Sequence, residues 1–277
     1  MPELKIALIQ TSAGQDMDQN LAAAEDLIEK AAAGGAQVVV APENFHMRIP
    51  PGQGQKRLDR AEDVPGPFSQ RFSALAKRLG IHLLAGSYNE KSSDPKRMRN
   101  TSLFFGPDGA LLAKYRKIHM FDVVIDGQIN AHESALVEAG DEVVTAETDF
   151  GTVGLTICYD LRFPELYRAI ALKGAILTFV PANFALFTGR DHWETLLRAR
   201  AIENGMFVAA AGQIGGVDGA FQSYGRSMVV DPWGTVVACA SDGQEIVHAT
   251  IDLEMVKRVR ERLPCLEHRR PGVYGLG

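Results

Sequence analysis

The chain has 277 residues, 46% of them apolar, enough to bury a large core, and no linker, repeat or low-complexity tract divides it, so residues 1–277 are expected to form a single domain. A formal net charge of -5 lacks the basic surplus that nucleic acid or an acidic membrane would require, which leaves a small molecule as the expected partner. The opening MPELKIALIQT is not built like a signal peptide and no stretch approaches the ~20 apolar residues of a membrane span, so a cytoplasmic protein is expected.

Residues 4–10 read as a buried strand, and a helix follows from about Asp18, where Leu21, Ala24, Leu27, Ile28 and Ala31 recur at three-four spacing until Gly34-Gly35 stops it. The run 36-AQVVVAPE-43 has the β-branched density of an interior strand, and Pro42 ends it just before Glu43. A helix is expected over 67–79 and a strand over 81–88. A hairpin over 101–117 turns at Pro107-Asp108-Gly109, and Lys117 closes its second strand. After an irregular segment holding Asp122, Asp126, Gly127 and Glu133, strands over 143–148 and 152–158 flank a turn at 149–151. Helices over 162–173 and 191–204 alternate with strands over 175–184 and 206–213, the pattern of sheets covered by helices. Strands near 224–230, 235–240 and 246–251 and a helix over 252–262 complete the reading.

The histidines form no HExxH or other ligand pair, so no metal is expected, and P-loop, dinucleotide and GxSxG patterns are absent. The three cysteines, at 158, 239 and 265, lack the spacing of a disulfide framework or a CxxC motif. Cys239 and Cys265 read as structural or incidental. Cys158 closes the strand in 153-VGLTICYDLRFPE-165, where a helix begins, and the unpaired N–H groups of a first helical turn would lower a thiol's pKa and offer oxyanion donors. A free cysteine is also among the most commonly buried residues, so a packed core thiol stays open on this stretch alone. Glu43 and Lys117 also fall at strand ends, where layered sheets collect their active sites, and they fit the base and the cationic donor that a thiol hydrolase needs.

The segments 40-VAPENF-45, 114-KYRKIHMFD-122 and 156-TICYDLRFPEL-166 resemble, in order and spacing, the signature blocks of the nitrilase superfamily of carbon–nitrogen hydrolases. The blocks 181-PANF-184, 188-TGRDHWETLLRARAIEN-204, 224-YGRSMVVDPWGTVVA-238 and 267-EHRRPGVYG-275 extend the similarity, which is greatest to deaminated-glutathione amidases, close relatives of the ω-amidases. Arg226 stands where those amidases usually carry histidine. The resemblance implies a Glu43–Lys117–Cys158 triad with Glu133 positioning the lysine, an oxyanion bound by the Tyr159 backbone N–H, and no cofactor. It implies an α+β fold, a four-layer αββα sandwich, pairing into a homodimer or larger homo-oligomer, for which the apolar side of the 191–204 helix is one candidate surface.

For the substrate, Arg162 reads either as a bidentate carboxylate anchor or as a surface arginine at a helix start. Asn183 matches a pocket position of related carbamoyl-amino-acid hydrolases, and Phe184, with Phe45 and Phe163, is a candidate pocket wall or ordinary packing. Trp193 reads as packing or a subunit contact. The expected reaction is hydrolysis of a small carboxylate-bearing amide through a thioester, first of all deaminated glutathione to 2-oxoglutarate and cysteinylglycine. The alternatives are an ω-amidase acting on 2-oxoglutaramate, an N-carbamoyl amino acid hydrolase, a thiol redox sensor or a non-catalytic interaction module.

Overall fold

Alternation along the first strand, β1 (Glu3–Gln10), decides the layering: Leu4, Ile6 and Leu8 enter one hydrophobic core, while Ala7 and Ile9 enter another. The structure is a computed structural model that describes residues 3–274; Met1, Pro2 and Gly275, the last residue of the C-terminal block, lie outside the described residues. β1 pairs antiparallel with β17 (Glu245–Asp252) and parallel with β2 (Val38–Val40), which continues in parallel to β3 (His82–Leu84). Antiparallel β5 (Met98–Phe105) follows, flanked by β4 (Tyr88–Lys91) and β6 (Leu111–Arg116).

The second sheet repeats that plan. Strands β10 (Gly151–Leu155), β11 (Leu177–Phe179) and β12 (Phe207–Ala210) are parallel, with β9 (Thr145–Thr148) antiparallel on one side and β15 (Met228–Val230) and β16 (Val236–Cys239) on the other. Two short ribbons, β7 (Asp122–Ile125) with β8 (Ile129–His132) and β13 (Ile214–Gly215) with β14 (Ser223–Tyr224), stand apart from both sheets.

The inner faces meet through contacts such as Phe104 of β5 on Phe179 of β11, ring centroids 5.4 Å apart. Helices α1 (Met17–Ala33) and α3 (Pro67–Leu79) seal the outer face of the first sheet with Leu21, Ala24, Ile28, Phe68, Phe72 and Leu75. Asp16 caps α1 by accepting the Gln19 N–H, and Gly35 leaves it at φ 88°. After α2 (Gly54–Leu58), helices α4 (Pro164–Leu172) and α5 (Leu186–Asn204) cover the second sheet. Gly154 permits the close approach of α4, since a Cβ there would lie 2.2 Å from Ile170 Cγ2. Helices α6 (Glu254–Arg262) and α7 (Pro271–Tyr274) end the described chain. The architecture is the expected four-layer αββα sandwich, and no helix among the described residues is long and apolar enough to cross a membrane.

Three expectations change. The strand over 81–88 breaks into β3 and β4 at Gly86, whose φ of 46° lets it pass beneath Pro42, where a Cβ would sit 2.1 Å from the Pro42 carbonyl oxygen. Helix α5 begins at Leu186, five residues before the expected start. Its apolar side is not a free surface for a second subunit, because Trp193, Leu197 and Ala201 are fully buried within this chain and the Trp193 indole N–H donates to the Arg226 carbonyl at 2.8 Å.

Candidate active site

Strand ends from both sheets deliver the candidate residues to one place. Glu43 lies three residues beyond β2, and Lys117 directly follows β6, its N–H held by the Asn100 carbonyl at 2.9 Å. Cys158 lies three residues beyond β10 and Asn183 four beyond β11. Since β6 is antiparallel to β5, and β5 to β3, β6 runs with the central parallel strands, and Lys117 emerges at the same edge as Glu43. Glu133 arrives from the β7–β8 ribbon in a 3-10 turn.

Cys158 opens a 3-10 turn over Cys158–Arg162 with φ 48°, a left-handed conformation that costs a non-glycine residue ~1–3 kcal/mol. Its N–H is fixed by the Pro181 carbonyl at 2.9 Å. The fully buried Asp160 braces the turn: Oδ2 accepts the Ile157 N–H at 2.8 Å and the Tyr115 hydroxyl at 2.6 Å, and Oδ1 lies 3.2 Å from the donating His119 N–H and 2.7 Å from His119 Nδ1. One carboxylate thus ties the cysteine's turn to the segment that carries Lys117.

Lys117 Nζ is buried and donates to Glu43 Oε1 at 3.0 Å and to Glu133 Oε1 and Oε2 at 3.1 and 2.8 Å. Asn100 Nδ2 donates to Glu43 Oε1 at 2.8 Å, the Asn183 N–H to Glu43 Oε2 at 2.8 Å, and the Phe121 N–H to Glu133 Oε2 at 2.7 Å. Burial would discharge Lys117, but the charges of Glu133 and Glu43 outweigh it and hold its pKa well above the usual lysine value. Burial likewise pushes Glu133 up, yet the Lys117 charge, its hydrogen bonds and the Phe121 N–H bring the carboxyl below its ordinary range.

The expected lowering of the Cys158 pKa is overturned. Burial, the charge of Glu43 and a hydrogen bond to Glu43 raise the thiol well above its usual value, against the opposing pull of Lys117. The group rests as a neutral thiol hydrogen-bonded to Glu43. In Glu43→Gln the thiol should therefore titrate lower than in the parent, read from the pH dependence of iodoacetamide alkylation. A thiol that titrates higher in the variant would contradict this arrangement.

A cavity of about 930 Å³ is lined by Glu43, Lys117, Glu133 and Cys158 and also by Tyr159, Arg162, Asn183 and Phe184. The half-buried Arg162 guanidinium lies 5.0 Å from the Phe184 ring centroid and 5.8 Å from that of Tyr159, with Nη1 3.1 Å from His192 Nδ1. Asn183 touches Glu43 through its backbone, and its side-chain oxygen accepts the Ser223 hydroxyl. Phe45 and Phe163 do not wall the cavity: Phe45 packs in the outer core against Phe68 and Phe72, and Phe163 stacks on His119 at 3.6 Å.

This sequence matches the carbon–nitrogen hydrolase family over residues 5–261. The chain is a carbon–nitrogen hydrolase. It is 39% identical over 277 residues to the omega-amidase NIT2 of Xenopus tropicalis, covering 100% of this chain and 98% of that protein. Its fold is similar to that of the C. elegans NitFhit protein, with a TM-score of 0.91 and 39% identity over 99% of this chain and 66% of that one. It also resembles a Glu-to-Gln variant of the amidase from Nesterenkonia sp. AN1, in which the acetamide moiety of fluoroacetamide is covalently added at the active-site cysteine. That likeness has a TM-score of 0.80 and 27% identity over 97% of this chain and 94% of the other. The protein is a hydrolase of carbon–nitrogen bonds, a cysteine-dependent amidase of the nitrilase superfamily.

The hydrolase also places in its site four residues that the sequence did not single out. Asn100, buried in the middle of β5, bridges Glu43 and Glu133, and a lone amide inside a buried strand was the available signal. Phe121 holds Glu133 through its N–H, and Arg48 and Arg57 line the cavity from the segment after Glu43 without any motif to mark them. Arg226, the departure from the related amidases, does not line it: its guanidinium turns to the Ala240 carbonyl and to Asp242.

Proposed function

We propose that this hydrolase is an ω-amidase in which Cys158 is the nucleophile, Glu43 the proton shuttle, Lys117 and the Tyr159 N–H the oxyanion donors, and Glu133 the group that positions Lys117. The observation that carries the reading is the neutral thiol, the carboxylate and the ammonium meeting in one cavity beside Arg162. Glu43 takes the thiol proton as sulfur attacks the amide carbon, and the carbonyl π electrons move onto oxygen. When the oxyanion collapses, the C–N bond breaks and Glu43 gives its proton to the departing nitrogen. Water, deprotonated by Glu43, then attacks the thioester; the C–S bond breaks, the acid leaves, and the thiol recovers its proton.

The electrostatics support these roles. Lys117 stays an ammonium, which suits a donor and not a base. Two of its three contacts go to the same carboxylate, Glu133, so one N–H can turn to an oxyanion while Glu43 and Glu133 each keep a bond. The Tyr159 N–H is the second of a helical turn and has no intrahelical acceptor. The raised thiol pKa counts against a redox sensor, whose cysteine is held as a thiolate.

Arg162, carried on the same turn as Cys158, is the anchor for a carboxylate on the acyl part. The 39% identity to an omega-amidase favours an unbranched ω-amide such as 2-oxoglutaramate over deaminated glutathione as the first substrate to test. Incubation of the purified protein with 2-oxoglutaramate should release ammonia and 2-oxoglutarate in equal amounts. Turnover of N-carbamoyl amino acids with no release from the ω-amide would overturn the assignment.

A further inference from the structure

Arg162 reaches the cavity from the turn that carries Cys158, but its direction is set by a residue that does not line the cavity. Among the described residues the guanidinium forms no ion pair, and the hydrogen bond it makes is to His192 Nδ1, at 3.1 Å.

A guanidinium only donates, so Nδ1 of His192 is the unprotonated, accepting nitrogen of its ring and the proton sits on Nε2. The chemistry of arginine fixes the direction of this bond. It occupies a single N–H and leaves a side-by-side pair free for a carboxylate.

His192 stands on a rigid base. It lies on the exposed side of α5, and the next residue, Trp193, is fully buried with its indole N–H held by the Arg226 carbonyl at 2.8 Å. The Phe184 ring, 5.0 Å from the Arg162 guanidinium carbon, packs in turn on Trp193 with ring centroids 5.1 Å apart. The histidine and the aromatic ring that bound Arg162 are therefore both anchored through Trp193. An arginine that samples many rotamers loses that freedom when it grips a ligand, whereas one already held has less to lose. An incidental surface contact is the competing account, since His192 is exposed. Against it, Arg162 is half-buried and takes its hydrogen bond from no other side chain among the described residues.

We infer that His192 is a positioning residue that sets Arg162 for the carboxylate of the acyl part, so that discrimination between anionic and neutral amides depends on a side chain outside the cavity. The inference rests on Arg162 as the anchor, proposed above, and the test separates the two. Two amides of equal chain length are compared, glutaramate and pentanamide, which carry a carboxylate and a methyl group at the end away from the amide. Values of kcat and KM are measured for the full chain and for its Arg162→Gln, His192→Ala and His192→Asn variants.

The parent should favour glutaramate, and Arg162→Gln should remove most of that preference. His192→Ala should lower the ratio of kcat/KM for glutaramate to that for pentanamide about three- to tenfold, the range open to one hydrogen bond, through a higher KM for glutaramate. His192→Asn, whose amide oxygen can accept in place of Nδ1, should recover part of the ratio. A disturbed helix would lower both substrates together and leave the ratio as it was. An unchanged ratio in His192→Ala, with the preference lost in Arg162→Gln, overturns the positioning role and keeps the anchor. A ratio as low in His192→Asn as in His192→Ala overturns the hydrogen bond as its cause. A preference that survives Arg162→Gln, or none in the parent, sinks the anchor and the inference with it.

Discussion

Replacement of Cys158 by alanine is expected to lower amide hydrolysis by about four orders of magnitude or more, because a nucleophile that forms the covalent intermediate has no substitute in the site. Among the described residues the other two cysteines, Cys239 and Cys265, are exposed and do not line the cavity, so neither can take over. Ammonia release measures the loss, and intact-mass analysis of acid-quenched parent enzyme should show the acyl adduct that the variant lacks. The fold should survive, since the turn is held by Asp160 and Pro181 and not by the thiol. Full turnover in the variant would refute the nucleophile assignment outright.

Lys117→Met should damage both chemistry and fold. On the role proposed for Lys117, loss of an oxyanion donor costs about 10²–10³ in kcat. Glu43 and Glu133 would then share Asn100 Nδ2 with no cation between them, and two buried carboxylates so close do not both ionise. Removing one member of a buried ion pair typically destabilises by about 3–5 kcal/mol, and a proton taken up by the glutamate pair would recover part of that. The carboxyl pKa is raised by this change, so the stability deficit shrinks at acid pH and grows as pH rises through the raised value. Thermal melts of parent and variant at pH 5 and pH 8 read the difference. A deficit of equal size at both values would mean that the glutamates are not coupled through Lys117.

Much of this was legible in the chain because strands and their ends have strong local signatures. VVVAPE and the hairpin closed by Lys117 put Glu43 and Lys117 at sheet edges, and the helices with clean three-four spacing, α1 and α3, fall where their periodicity places them. What was not legible depends on three-dimensional surroundings. A thiol at the start of a helical turn reads as acidic until its burial and the nearness of Glu43 are known, and these reverse the sign. Arg48 and Arg57 read as ordinary charges of a Pro- and Gly-rich loop, because nothing local shows that the loop folds back over the cavity. Phe45 and Phe163 adjoin site residues in sequence yet face other cores, since neighbouring side chains at a strand end point in different directions.

The glutamate–lysine pair is delivered by the first sheet and the cysteine by the second, and the Glu43 backbone carbonyl is held by a side chain, Gln213, 170 residues later in the chain. Amidase competence is therefore acquired only after the chain has been made as far as Gln213, about three quarters of its 277 residues. The two sheets act as a two-key lock on acyl transfer. A chain cut between β6 and β9 could recover activity only when both fragments are present, so hydrolysis itself reports that the two halves have met.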